Sequence, residues 1–203
     1  NYFLALAVFF LARTSAALYF ILTIDHSEIR ARSHRQVLYN AIPFVVFFLL
    51  FLGFILAGKG YAINAEGGID IVRYKYFYNL MEMPVNTTIF VLGVLSVLYG
   101  IIRTLISPSW TKGIWFTGFG TVFTVICLFI LAGFNNTAFY PSYTDPDSSL
   151  TIYNASSSLY TLKTMSWVSL IIPIVIAYIW YAWRSMTRKA LSREDLEKAE
   201  TKY

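Results

Sequence analysis

The stretch "YFLALAVFFLARTSAALYFILTI", residues 2–24, decides what kind of protein this is. A helix needs about 20 apolar residues, at about 1.5 Å each, to cross a hydrocarbon core. This stretch has that length and carries one charge, Arg13. It is no secretory leader, because it lacks a basic start and a small-residue cleavage site. The chain opens at Asn1, inside the apolar run and without an initiator Met, so it is expected to continue upstream.

The remaining sequence repeats the pattern. Of its residues 57% are hydrophobic and only 13% charged, and the mean hydropathy is +0.58, far outside the soluble range. Five blocks qualify as spans, at roughly 3–24, 39–58, 86–106, 113–134 and 165–183. The expected fold class is therefore all-α integral membrane. It is a polytopic helix bundle forming one transmembrane domain over 1–203, with a short cytoplasmic tail at 184–203.

Basic residues orient the spans. Segment 25–38, expected as a loop, carries Arg30, Arg32 and Arg35; the turn 107–112 carries Lys112 beside Arg103; the tail carries Arg184, Arg188, Lys189 and Arg193. These face the cytoplasm. In the alternate loops, 59–85 and 135–164, acids balance the bases, which places them and Asn1 outside and the C-terminus inside. The net charge of +5 thus follows from topology and calls for no nucleic-acid partner. Cys127, the single cysteine, lies mid-span, so no internal disulfide is possible.

Local signals add detail. Asn86 after Pro84 is the expected N-cap of the third span, and Pro173 should kink the fifth. Small pairs at four-residue spacing, Ala12/Ala16, Gly53/Ala57 and Ser96/Gly100, are candidates for close helix approach. Ser192 and Asp195 form an expected capping box in the tail.

Little here suggests chemistry carried by this chain alone. His26 and His34 fall in the charged segment after the first span, where a solvated loop is the simpler reading than haem ligation. Met81, Met83 and Met165 read as packing. The "GKG" at 58–60 lacks the rest of a phosphate-binding loop. Arg13 stands out, because a mid-span guanidinium costs a few kcal/mol unless it meets protein, water or a bound polar group. An inter-helix hydrogen bond and a quinone, lipid or proton-path contact are the alternatives, and they make Arg13 the one candidate cofactor-binding residue. Glu82 reads as a solvated interface carboxylate, with a proton-pathway role as the alternative. No catalytic or metal-ligating residue is expected.

The stretch "SLTIYNASSSLYTLKTM", residues 149–165, sets a run of hydroxyls and amides between two apolar blocks. With "FYPSYTDPDS" before it and "IIPIVIAYIWYAWR" after it, it closely resembles the C-terminal signature of subunit II of the cytochrome bd-type quinol oxidases. "TSAALYFILTIDHSEIRARSHR" and "GKGYAIN" resemble the family more loosely. The resemblance implies a nine-span subunit, of which five spans are seen here. It also implies a heterodimer with a haem-bearing subunit I that holds haem b and haem d, oxidises membrane quinol and reduces dioxygen to water. This chain would bind no cofactor itself. Further expectations are contacts with membrane lipid and quinone, a possible small accessory subunit, and residence in a prokaryotic cytoplasmic membrane. The polar run becomes an ordered outer cap, with Asn154, Ser156, Ser157 and Ser158 bonding backbone between the fourth and fifth spans, and Asp147 beside it solvated. The rival reading is a component of a small-solute carrier or channel lined by Arg13, which would call for an inverted repeat that the sequence does not suggest.

Overall fold

A computed structural model describes residues 1–186. The capping box expected at Ser192 and Asp195 lies outside the described residues.

Among the described residues, five helical segments are long and apolar enough to span a membrane. Helix α1, Tyr2–Thr23, turns through three residues into α2, Ser27–Ala57. The expected loop 25–38 is therefore helical from Ser27 on, and α2 has 31 residues. The physical reason is propensity: Glu, Arg, Ala and Gln are good helix formers, and their charge speaks for water on one face rather than for irregular backbone. His26 caps α2 without a side-chain bond, and His34 lies two turns in; both are half-buried instead of solvated in a loop.

The second hairpin is α4, Pro84–Ile106, against α5, Gly113–Gly133. Pro84 takes the first helical position, where its missing N–H costs nothing. Asn86 is not the expected N-cap, which is Met83. It is buried in the first turn and donates to the Cys127 carbonyl at 3.2 Å.

These two hairpins pack into a four-helix core around Leu18, Ile21, Val37, Phe44, Val97 and Ile101. A narrow apolar cavity of about 90 Å³ remains between them, lined by residues that include Leu11, Phe44 and Val97. The α4–α5 seam is far tighter. Gly93, Gly100, Gly113 and Gly120 face the opposite backbone so closely that a methyl group on any of them would lie within 3.0 Å of it. Thr104 and Thr124 fill the gaps and return their hydroxyls to their own helix, at Gly100 O (2.7 Å) and Gly120 O (2.8 Å). Packing through small residues is how membrane helices associate when apolar burial offers no advantage over lipid. Of the small pairs expected from sequence, Gly100 belongs to this seam, and Ser96 donates to the Phe116 carbonyl at 2.9 Å. Ala12, Ala16, Gly53 and Ala57 are exposed, with open space around Gly53.

A layer caps the far end. The chain after α2 forms an antiparallel hairpin, β1 (Lys59–Ile63) and β2 (Ile69–Arg73), paired from Lys59↔Arg73 to Ile63↔Ile69. Gly67, at φ +86°, supplies the left-handed turn position. Helix α3, Lys75–Glu82, then leads into α4. Residues 136–138 lie along β1, with Ile63 N–H donating to Asn136 O and Ala138 N–H to Tyr61 O, both at 2.9 Å.

Beyond a single 3-10 turn, Pro146–Ser148, come α6 (Ile152–Ala155), α7 (Leu159–Ser169) and α8 (Ile172–Met186). The fifth span is thus α7 with α8. Pro173 does more than kink it, since the helix breaks between Ser169 and Ile172. No residue of α7 or α8 is buried, and a ring contact between Trp115 and Trp183 at 5.5 Å ties α8 to α5.

Candidate functional site

Two polar places interrupt the apolar bundle, one at the capped end and one within α1. The first centres on Asn79 of α3, which is fully buried. Its amide donates to the Leu131 carbonyl at 3.0 Å and to Thr137 Oγ1 at 2.8 Å, and its Oδ1 accepts from Asn135 Nδ2 at 3.0 Å. Asn135 also donates to Glu82 Oε2, and its carbonyl accepts from Lys75 Nζ at 2.8 Å. Asn135 and Asn136 both take left-handed backbone, φ 58° and 51°, which asparagine tolerates better than most residues. One α3 face therefore clamps the turn that follows α5. Glu82, expected as a free carboxylate, is exposed but held by this turn. Burial lowers the pKa of Lys75, against the opposing pull of Glu82, so its ammonium is disfavoured in the folded protein.

Tyr76, on the same helix, is shifted the other way. Burial, then Tyr143 and Tyr61, raise its phenol above its ordinary value of 10.0. The neutral phenol is thus preferred in the folded state. Its contribution to stability is complete below the unfolded value and is lost as pH climbs through the folded one. Hydrogen exchange of β1 should accelerate above about pH 10, and Tyr76→Phe should remove that component of the acceleration.

The opening of the 149–165 stretch packs on the end of α5: Phe139 Cβ and Ile152 Cδ1 lie 3.4 and 3.9 Å from where a Gly133 side chain would begin. Ser149 and Thr151 are buried. Asn154 and Thr151 form a reciprocal capping box, with Thr151 N–H donating to Asn154 Oδ1 at 2.7 Å and Asn154 N–H to Thr151 Oγ1 at 3.2 Å. Asn154 Nδ2 also donates to the Ser149 carbonyl at 2.9 Å. Ser156 donates to the Ile152 carbonyl, and Ser158 caps α7 through Thr161 N–H. Ser157 is exposed. These bonds are local, within 149–161, and none runs between the spans themselves. Asp147 is not free either, because its Oδ1 accepts from Ile69 N–H at 2.7 Å. Removing a helix-capping side chain costs about 1 kcal/mol. Asn154→Leu should lower thermal stability by that order, while Tyr153→Ala, at a position 77% exposed, should leave it unchanged in the same melting experiment.

Arg13 lies apart from this layer, on α1. Its Nε donates to Asn40 Oδ1 of α2 at 2.8 Å. Asn40, 4% exposed, donates in turn to the Gln36 carbonyl at 2.6 Å and to Gln36 Oε1 at 3.1 Å. Arg13 itself is exposed, and its guanidinium carbon lies 5.7 Å from the centre of the Phe9 ring. The structure therefore does not bring Arg13 and the Asn154 segment together. Asn79, Asn135 and Asn40 carry the polar framework, and sequence reasoning missed all of them, because single amides inside apolar or aromatic runs form no pattern.

Comparison with known proteins places this geometry. The profile described as cytochrome bd terminal oxidase subunit II matches residues 1–186. The protein named cytochrome bd-I ubiquinol oxidase subunit 2 in Escherichia coli K12 is 30% identical over 143 residues, covering 68% of this chain and 36% of that protein. The proteins of that name in Escherichia coli O6:H1 and O157:H7 match to the same extent. The match thus spans little more than a third of each relative's length. With the profile match running from Asn1 through the cap and all five spans, the chain belongs to the cytochrome bd terminal oxidase subunit II family.

Proposed function

We propose that this chain serves as the haem-free partner subunit of a quinol oxidase in a prokaryotic cytoplasmic membrane, where the complex oxidises quinol and reduces dioxygen to water. The observation that carries this reading is the family match over residues 1–186, which includes the 149–165 signature. The five spans correspond to part of a nine-span subunit, with the basic ends and the C-terminus on the cytoplasmic side.

In this reading haem b and haem d would be held by the partner subunit and would supply the electron-transfer chemistry there. Axial ligation takes a His or Met side chain projecting into the bundle. His26 and His34 sit near the basic end of α2, Met81 and Met83 sit at the capped end of the bundle, and Met165 is exposed on α7 within the fifth span. None of these five belongs to the buried core, so they do not fit as His or Met ligands of a haem held inside this bundle. What the chain does offer is surface. Leu49, Phe54, Leu92, Leu95, Phe123 and Phe129 are all exposed on the outer faces of α2, α4 and α5, where lipid and subunit I would cover them. Asn154, Ser156, Ser157 and Ser158 form a locally bonded outer cap, in which Ser158 starts α7 and Ile152 packs on the end of α5. A quinone and a small accessory subunit would complete the assembly. The carrier reading gains nothing, since Arg13 faces outward from the bundle and not into a passage.

Expression with and without subunit I tests the assembly role. The chain produced alone should aggregate or be degraded after detergent extraction, and co-production should rescue it. A stable, monodisperse chain without any partner would contradict the proposal.

A further inference from the structure

We infer that Arg13 is a binding site for the phosphate of a membrane phospholipid in the leaflet at the basic end of the bundle. The inference rests on the membrane placement proposed above and deepens the lipid contact suggested there. It does not depend on the oxidase chemistry.

Depth is the first argument. A side chain on Gly113, the first residue of α5, would start 3.0 Å from Leu18 Cδ2, so Leu18 is level with the basic turn that carries Lys112. Arg13 lies five residues earlier on α1, about 7.5 Å deeper at about 1.5 Å per residue. A long cationic side chain rooted at that depth reaches the headgroup plane by snorkelling.

The second argument is preorganisation. Gln36 holds Asn40, and Asn40 holds Arg13 through Nε alone. The two terminal amines have no partner among the described residues, so the fork that grips a phosphate in two-point fashion stays available. Exposed Phe9, Ala12, Ala16 and Phe20 flank it on α1, giving an apolar surface for an acyl chain on both sides of one fixed positive charge.

The third argument is charge. Among the described residues, the five spanning segments contain a single carboxylate, Glu28, and it pairs with Arg32 at 3.7 Å. Asp25, in the turn after α1, pairs with Arg30 at 3.4 Å. A guanidinium in apolar surroundings needs an anion or water, and the abundant anion within snorkelling reach of Arg13 is the lipid phosphate of the headgroup plane.

Native mass spectrometry of the delipidated oxidase complex, titrated with phosphatidylglycerol, tests this. The parent complex should take up one lipid that Arg13→Leu binds at least about tenfold more weakly, since the variant loses the charge-assisted hydrogen bonds to the phosphate. Arg13→Lys should fall between the two, and Arg32→Ala should match the parent. Diacylglycerol, which lacks the phosphate, should fail to occupy the site, and soluble glycerol phosphate at equal concentration should fail to displace the lipid. Equal lipid binding by the parent and Arg13→Leu overturns the inference. So does displacement by glycerol phosphate, or loss of subunit I from Arg13→Leu with no lipid bound by the parent, which would assign the guanidinium to an acidic group of that subunit. The visible haem spectrum of the same samples reports on the oxidase reading independently.

Discussion

Gly120→Ala is expected to destabilise the bundle strongly, although it adds only one methyl group. That methyl would lie 2.6 Å from the Gly93 carbonyl oxygen and 2.8 Å from the Val97 nitrogen, both backbone atoms of α4. Neither can rotate away, so relief requires the helices to separate. Separation at Gly120 also opens the contacts of Gly93, Gly100 and Gly113 along the same seam. Overpacking at one core site typically costs about 1–3 kcal/mol, and a rigid seam with backbone on both sides belongs at the upper end. Gly118 on the same helix is the internal control, because nothing lies within 4 Å of its added methyl. Gly118→Ala should be neutral, or stabilising by about 1 kcal/mol through helix propensity. Thermal melting of the two purified variants checks the contrast, and equal midpoints would show that the seam tolerates spreading.

Asn79→Leu should come second in effect. The substitution keeps the approximate volume but strands the Leu131 carbonyl in a buried setting and takes one bond each from the Thr137 hydroxyl and the Asn135 amide, which keep Asn135 O and Glu82 as partners. Each buried group left unpaired costs about 1–3 kcal/mol. The turn at Asn135 and Asn136 would lose its main anchor, and with it the edge contact to β1. Limited proteolysis of the outer loops should then cut within 134–150 well before the bundle melts. Resistance equal to that of the parent would mean that Lys75 and Glu82 suffice to hold the turn.

The spans were legible in the sequence because length and hydropathy suffice to define them, and α1, α4 and α5 fall within a few residues of their expected positions. The start of α2 was not, since the charges from Glu28 to Arg35 read as loop although the same residues favour helix. The hairpin was missed for a different reason. "KGYAI" and "IDIVR" are short, and the Gly67–Gly68 turn between them was a usable signal of the kind that marks hairpins. Glycines seven apart, Gly93 with Gly100 and Gly113 with Gly120, held the seam in plain view. Spacing alone could not say which small residues face a neighbour, and Gly53 and Ala57 turned out exposed. The Arg13–Asn40 bond was half legible: the cost of a mid-span guanidinium called for a partner, and only the packing of α1 on α2 could name it.

The central claim is that this chain works as one subunit of a haem-bearing quinol oxidase without holding the haem itself. The most direct measurement is the visible absorption spectrum of the complex purified through a tag on this chain, followed by dissociation and haem detection on the separated subunits. The account predicts haem b and haem d bands in the intact complex and all haem on the partner subunit. Haem retained on this chain, or a colourless preparation in which this chain is stable alone, would contradict it.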